Sequence, residues 1–210
     1  MRAVRDDSLD VDFIILAYRS GYFPMADSRR GRVSWYSPDP RAIIPLETVH
    51  LSRSLRRTVA KNLFDIRVDS SFEEVIRACA DRKDTWISDG IIGAYTDLHH
   101  RGFAHSVEAW KDGRLAGGLY GIAIGAAFFG ESMFTRVTDA SKVAFAALVQ
   151  ILHEREYQLL DTQFVNEHML QFGPVEIPRQ EYLAMLTRAV AEADRFPRGG
   201  LAGTIFSMTS

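Results

Sequence analysis

The sequence has a single cysteine, Cys79, which excludes an intramolecular disulfide and any metal centre built on cysteine pairs. A chain without disulfides suits a reducing compartment, so a cytoplasmic location is expected. Long hydrophobic runs are also lacking. The longest apolar stretch, Leu115 to Phe129, is interrupted by Gly117, Gly118, Gly121 and Gly125, too short and too broken for a spanning helix, and no membrane partner is expected. Met1 to Asp12 carries four Asp and two Arg around no apolar core, so it does not read as a signal peptide. There is no internal repeat and no low-complexity tract. The six histidines include no His-Glu-x-x-His spacing, so neither a metal nor a cofactor is expected. Ser132 sits outside any Gly-x-Ser-x-Gly elbow and is not a candidate nucleophile.

What is present is a chain of 210 residues with 47% hydrophobic and 11% aromatic content, enough for one large domain or one domain with an appendage. The net charge of −2 is unevenly spread. Between Arg29 and Lys61 eight bases (Arg29, Arg30, Arg32, Arg41, Arg53, Arg56, Arg57 and Lys61) face only Asp39 and Glu47, a local charge of 8 − 2 = +6. Such a stretch is either a solvated face or a surface for phosphates.

Periodicity organises the rest. A helix through Asp12 to Tyr18, capped by Ser8 and ended by Gly21, precedes a polar arginine loop. Pro38 and Pro40 then force an extended connector, so a small N-terminal domain (1–40) is expected before a larger one (41–210). Phe64 to Val68 alternates as a strand, and Ser70 with Glu73, or Ser71 with Glu74, offers a capping box for a helix through Ala80. Ser88 caps a helix running to Arg101. Ala104 to Trp110 is a strand, turned by Lys111-Asp112-Gly113-Arg114 into Leu115 to Ile124, with Ala126 to Gly130 continuing the sheet. A helix from Asp139 to about Glu154 precedes a buried strand from Tyr157 to Phe164. A short helix over Asn166 to Phe172 and a last helix opened by Pro178 follow. Hairpin strands with one strand–helix–strand unit make a mixed-sheet α/β fold.

Two segments carry candidate chemistry. In Leu159-Leu160-Asp161-Thr162-Gln163-Phe164, Asp161 and Gln163 share one face of a strand. Either they satisfy nearby backbone at a strand end, or the carboxylate draws a proton from an attacking amine while the amide holds a substrate oxygen. Glu131, after the apolar run Phe128-Phe129-Gly130, either reaches water or holds a cationic group. Aromatic residues at Tyr22-Phe23, Trp35-Tyr36 and Trp86 either pack or stack bases of a single-stranded nucleic-acid end.

Taken in order, Gly21-Tyr22-Phe23-Pro24, Trp35-Tyr36-Ser37-Pro38-Asp39-Pro40-Arg41, His50-Leu51-Ser52-Arg53-Ser54, Thr85-Trp86-Ile87 and His105-Ser106-Val107-Glu108 resemble the leucyl/phenylalanyl-tRNA–protein transferases. Gly117-Gly118-Leu119-Tyr120-Gly121, Gly130-Glu131-Ser132-Met133-Phe134, Leu160-Asp161-Thr162-Gln163 and Glu176-Ile177-Pro178-Arg179 extend the resemblance. It implies a GNAT-like acyltransferase domain behind the small N-terminal one. The implied reaction moves Leu, Phe and, less well, Met from aminoacyl-tRNA to proteins beginning with Arg or Lys, creating a degradation signal of the N-end rule pathway. By position, Leu119, Phe128, Phe145, Leu148, Leu152 and Leu160 line the implied aminoacyl pocket, and Trp86, Met25 and Trp35 meet the tRNA 3′ end. Met25 and Tyr36 stand where the family has aromatic and tryptophan residues. Arg53, Arg56, Arg57 and Lys61 are the expected contacts to tRNA backbone. Asp161 is the expected proton acceptor, Gln163 orients the tetrahedral centre, and Glu131 attracts the acceptor's cation. An acetyl-CoA-dependent transferase is the rival on the same fold, but Met133-Phe134-Thr135-Arg136-Val137-Thr138 lacks that class's glycine-rich pyrophosphate loop. A non-catalytic tRNA-binding module is a second rival.

Overall fold

In the computed structural model, which describes residues 9–197, helix α1 (Val11–Arg19) begins at Asp10. The Asp10 carboxylate accepts from the Phe13 amide at 2.8 Å, satisfying a donor that the first turn leaves free. Ser8, expected to cap this helix, lies outside the described residues. Gly21, at φ +83°, turns the chain into an antiparallel ribbon of β1 (Phe23–Ala26) and β2 (Val33–Tyr36).

The elements that follow are β3 (Arg41–Ile43), α2 (Arg53–Ala60), β4 (Asp65–Val68), α3 (Phe72–Ala80) and α4 (Asp89–His100). Then come β5 (Ala104–Lys111), β6 (Arg114–Ile124), β7 (Ala127–Thr135) and α5 (Ala140–Glu154). Strand β8 (Leu159–Gln163), β9 (Val175–Ile177) and α6 (Arg179–Ala189) close the described fold. Seven strands form one sheet in the order β4-β5-β6-β7-β8-β3-β9. Only the β7–β8 pair is parallel, and α5 makes its crossover.

Adjacent residues on the central strands enter opposite apolar layers, as a period of two requires. Tyr120, Phe129 and Leu159 pack with α1, α3, α4 and α6, whereas Leu119, Phe128 and Leu160 pack with α2 and α5. The mixed α/β fold is therefore a sheet covered on both faces. The β5–β6 hairpin turns through Asp112 and Gly113, both at positive φ, as a two-residue loop between right-twisted strands demands.

Several local expectations change. Ser88 caps α4 through the Ile91 amide, but the capping box at Ser71 does not form. The Ser71 amide donates instead to Glu108 at 2.7 Å, a buried carboxylate that also takes Ser106 Oγ and Trp110 Nε1, each at 2.8 Å. The segment expected to be helical over Asn166 to Phe172 holds only a 3-10 turn, Leu170–Phe172. Strand β8 is shorter than expected at both ends. Strand β7 is longer, running five residues beyond Gly130. The short strands β1, β2, β3 and β9 and helix α2 have no counterpart in the sequence pattern.

Candidate active site

The site exists because two parallel strands stop pairing. Strands β7 and β8 are in register at Ala127–Leu159, Phe128–Leu160 and Phe129–Asp161, and there the ladder ends. Beyond it β7 continues beside β6 alone. The β6–β7 register moves from Gly121–Gly130 to Tyr120–Ser132, which leaves Glu131 as the extra residue of a β-bulge. One extra residue inverts the alternation. Phe128 and Met133, five positions apart, enter the same layer, as do Phe129 and Phe134. Gly121 is needed opposite this bend, because a Cβ there would stand 2.3 Å from the Phe129 carbonyl and 2.5 Å from the Phe128 ring.

A cavity of about 750 Å³ opens where the strands part. Its apolar wall includes Leu119, Met133, Phe145, Leu148, Leu160 and Met169, and Trp86 lies at its edge with Phe134. Its polar lining includes Glu131, Gln163, Thr162, Asn166, His168 and Arg82. This volume suits a small ligand with one apolar limb and a few fixed polar contacts.

Glu131 sits among neutral donors. Tyr18 Oη donates to Oε1 at 2.7 Å, Tyr95 Oη to Oε2 at 3.4 Å, and Gln163 Nε2 to Oε1 at 3.3 Å. Tyr18 and Tyr95 also share a short hydrogen bond between their hydroxyls. Burial pushes the Glu131 carboxyl from 4.5 up to about 8; the Tyr18 bond opposes this and the Asp161 charge adds to it. His168 is shifted down by burial and by the positive charges of Lys142 and Arg82.

Asp161 is placed differently from its expected role. It is fully buried and absent from the cavity lining, and its oxygens are taken by four donors. Arg41 binds it bidentately (Nε–Oδ1 2.9 Å, Nη2–Oδ2 2.7 Å), Tyr182 Oη donates to Oδ2 at 2.6 Å, and the Gln163 amide donates to Oδ1 at 2.9 Å. Arg41, counted in the basic stretch, is thus unavailable to phosphates. Its guanidinium lies between the rings of Phe23 (4.7 Å) and Tyr182 (4.5 Å), and it also reaches the Gly21 carbonyl at 3.1 Å. Gln163 adopts φ +59°, unusual for a side-chain-bearing residue, and the Asp161 bond to its amide holds that turn.

Of the expected pocket residues, Leu119, Phe145, Leu148 and Leu160 line the cavity, with Trp86. Phe128 and Leu152 do not: both are buried within the α5 layer, and Phe128 lies where β7 and β8 still pair, stacked 5.3 Å from Phe196. Met133, carried to that layer by the bulge, and Met169 are wall residues that the sequence pattern does not reveal. Met25 and Trp35 lie on the β1–β2 ribbon outside the lining, although the Ala26 amide bonds the Trp86 carbonyl at 3.1 Å. Arg53, Arg56, Arg57 and Lys61 are exposed on and just after α2, and none forms an ion pair among the described residues. Tyr18 and Tyr95 read as ordinary apolar positions of amphipathic helices, and nothing in their spacing marks them as partners of Glu131. Among the described residues no group of three His, Cys, Asp or Glu side chains is gathered as a metal site, and no helix is long and apolar enough to cross a membrane.

A mixed sheet that parts around a cavity with an apolar wall, lined also by a carboxyl held towards its neutral form, can seat an apolar group beside a residue able to exchange a proton, which suits a group-transfer enzyme. The sequence model of leucyl/phenylalanyl-tRNA protein transferase matches residues 43–187, and that of the N-terminal domain of the same transferases matches residues 7–39. A relative of that name from Gloeobacter violaceus is 53% identical over 189 residues, covering 90% of this chain and 98% of its own. Another, from Chlorobaculum tepidum, is 52% identical over 192 residues (90% and 99%), and one from Paramagnetospirillum magneticum is 53% identical over 195 (90% and 93%). The chain belongs to the leucyl/phenylalanyl-tRNA–protein transferase family, and it is a transferase.

Proposed function

We propose that this enzyme moves leucine, phenylalanine and, less well, methionine from aminoacyl-tRNA to the α-amine of proteins that begin with Arg or Lys. The product would be a degradation signal of the N-end rule pathway, made in the cytoplasm. Residues 1–40 form a small N-terminal domain, and residues 41–210 a GNAT-like domain. The ribbon with its own pairing supports the first, and the parted parallel strands with a bulge support the second. The observation that carries the reading is the apolar cavity that ends at Glu131 and Gln163.

In this reading the esterified side chain enters among Leu119, Met133, Phe145, Leu148 and Leu160, and its carbonyl carbon stops beside the polar end. The acceptor nitrogen attacks that carbon, and the carbon–oxygen bond to the ribose then breaks. One proton must leave the nitrogen and one must reach the ribose oxygen. An α-amine has an ordinary pKa near ~8. Glu131, raised to about 8, is matched to that amine and takes and returns the proton. Gln163 Nε2, beside Glu131, steadies the tetrahedral oxygen, with the strand-edge amides of the bulge as further donors. Asp161, enclosed by donors, positions Gln163 and Arg41 and takes no proton from substrate. Trp86, at the edge of the cavity, with Met25 and Trp35 on the ribbon behind it, meets the terminal adenosine. The exposed bases Arg53, Arg56, Arg57 and Lys61 meet the tRNA backbone.

Incubation with radiolabelled Leu-tRNA and an Arg-starting peptide tests the reading. Label is expected in the peptide. Binding of tRNA without transfer, or transfer only from acetyl-CoA, would overturn it.

A further inference from the structure

The cavity is apolar inside and basic at its mouth. Arg82, Arg136 and His168 line it, and Lys142 follows the lining residue Ser141. These bases come from separate places: the loop after α3, the loop between β7 and α5, the first turn of α5, and the loop after β8. Arg136 is engaged by Glu74 at 2.9 Å, and Lys142 lies 3.2 Å from Asp139. Arg82 has no ion pair among the described residues. Its Nη2 donates to Ser132 Oγ at 3.1 Å and to the Met133 carbonyl, which pins one corner of the guanidinium to β7. No hydrogen bond of Nε or Nη1 is made among the described residues. The positive charges of Lys142 and Arg82 both depress His168, so each lies within electrostatic reach of that ring. The carboxylates nearby are Asp81 and Glu131, which also line the cavity, Glu74, engaged by Arg136, and Asp139, already beside Lys142.

We infer that Arg82, supported by Lys142 and His168, holds the phosphodiester on the 5′ side of the esterified nucleoside. The inference rests on the aminoacyl-tRNA reading. With the acyl side chain inside and the ester at Glu131 and Gln163, the ribose stands at the mouth and its 5′ phosphate must leave through the same rim. With Nη2 committed to β7, the Nε–H and Nη1–H groups remain as charged donors, each able to hold a single phosphate oxygen. A cationic rim is also the wrong surface for an acceptor that begins with Arg or Lys, so it divides the two substrates between opposite sides of the ester.

The test compares two donors, Leu-tRNA and 3′-O-leucyladenosine, which keeps ribose, base and ester but has no phosphodiester. In R82A, kcat/KM for Leu-tRNA should fall about tenfold more than for leucyladenosine, the range of one charged hydrogen bond. The slope of log KM for Leu-tRNA on log salt should shrink by about 0.7. Arg82→Lys should recover part of the Leu-tRNA rate. An equal fall for both donors, an unchanged salt slope, or a rise in the acceptor peptide's KM alone overturns the phosphate assignment while leaving the transfer reading intact. A wild-type enzyme that uses neither donor overturns both.

Discussion

Asp161 is buried and Glu131 half-buried on neighbouring strands, and the partners of the two carboxylates differ in kind. Asp161 meets a guanidinium, a phenol and an amide, all fixed. Glu131 meets only neutral donors and an opening. Its pKa, about 8 in the folded protein against an unperturbed 4.5, means that folding favours its protonated form between those values. Its contribution to stability is therefore full below about pH 4.5 and is lost as pH rises towards 8. Glu131→Gln should melt like the wild type at pH 4 and at a higher temperature than the wild type at pH 9. Its transfer rate should be low at every pH, without the inflection near 8. Breaking the other carboxylate is a different experiment. Asp161→Ala strands Arg41 in the core and should cost roughly 3–5 kcal/mol in urea unfolding. The double change Arg41→Met with Asp161→Leu should recover much of that loss, while transfer stays impaired because Gln163 loses the bond that holds its turn.

At the scale of elements, the bulge decides which side chains meet substrate. The family resemblance implies Phe128 as a pocket residue, and a period of two does place it on the pocket's layer. The inserted residue instead ends one series and begins another, so Met133 takes the wall and Phe128 stays behind it. Met133→Ala should enlarge the cavity and shift the kcat/KM ratio towards Phe over Leu, by ~1–3 kcal/mol in discrimination. Phe128→Ala should instead destabilise the fold by roughly 3–5 kcal/mol and leave that ratio nearly constant. The elements legible in the sequence are those with local signals: the Ser88 cap, the Asp112-Gly113 turn, the apolar face of α5. Ser71 carries the same cap signal and does not follow it, because Glu108, from a strand 37 residues away, claims its amide. Strands β3 and β9, three residues each, are too short to show a period; β3 forms on the edge of β8, and β9 on the edge of β3. The chemistry-bearing motif Asp161 to Gln163 is readable from polar residues in an apolar strand. The division of labour is not, since it depends on Arg41, Tyr182, Tyr18 and Tyr95 arriving from remote segments.

Across the whole molecule, charge is sorted by location. The exposed bases of α2 lie on the element that packs beside α5, whereas Arg41 from the same basic stretch is spent inside the core. Replacing Arg53, Arg56 and Arg57 together should weaken tRNA binding and lower the salt slope by roughly 0.9 for each phosphate no longer neutralised. Transfer from a phosphate-free donor should change far less. Filter binding at several salt concentrations measures the first, and leucyladenosine turnover the second. An unaltered slope would return α2 to the status of a solvated face.

The cluster around Asp161 gathers Arg41 from near one end of the described chain and Tyr182 from near the other, with the Gly21 carbonyl joining Arg41. A nascent polypeptide still missing α6 would own most of the hollow but not the frame that sets Gln163. Catalytic competence should then arrive all at once, late in synthesis, and no internal fragment should retain a fraction of it.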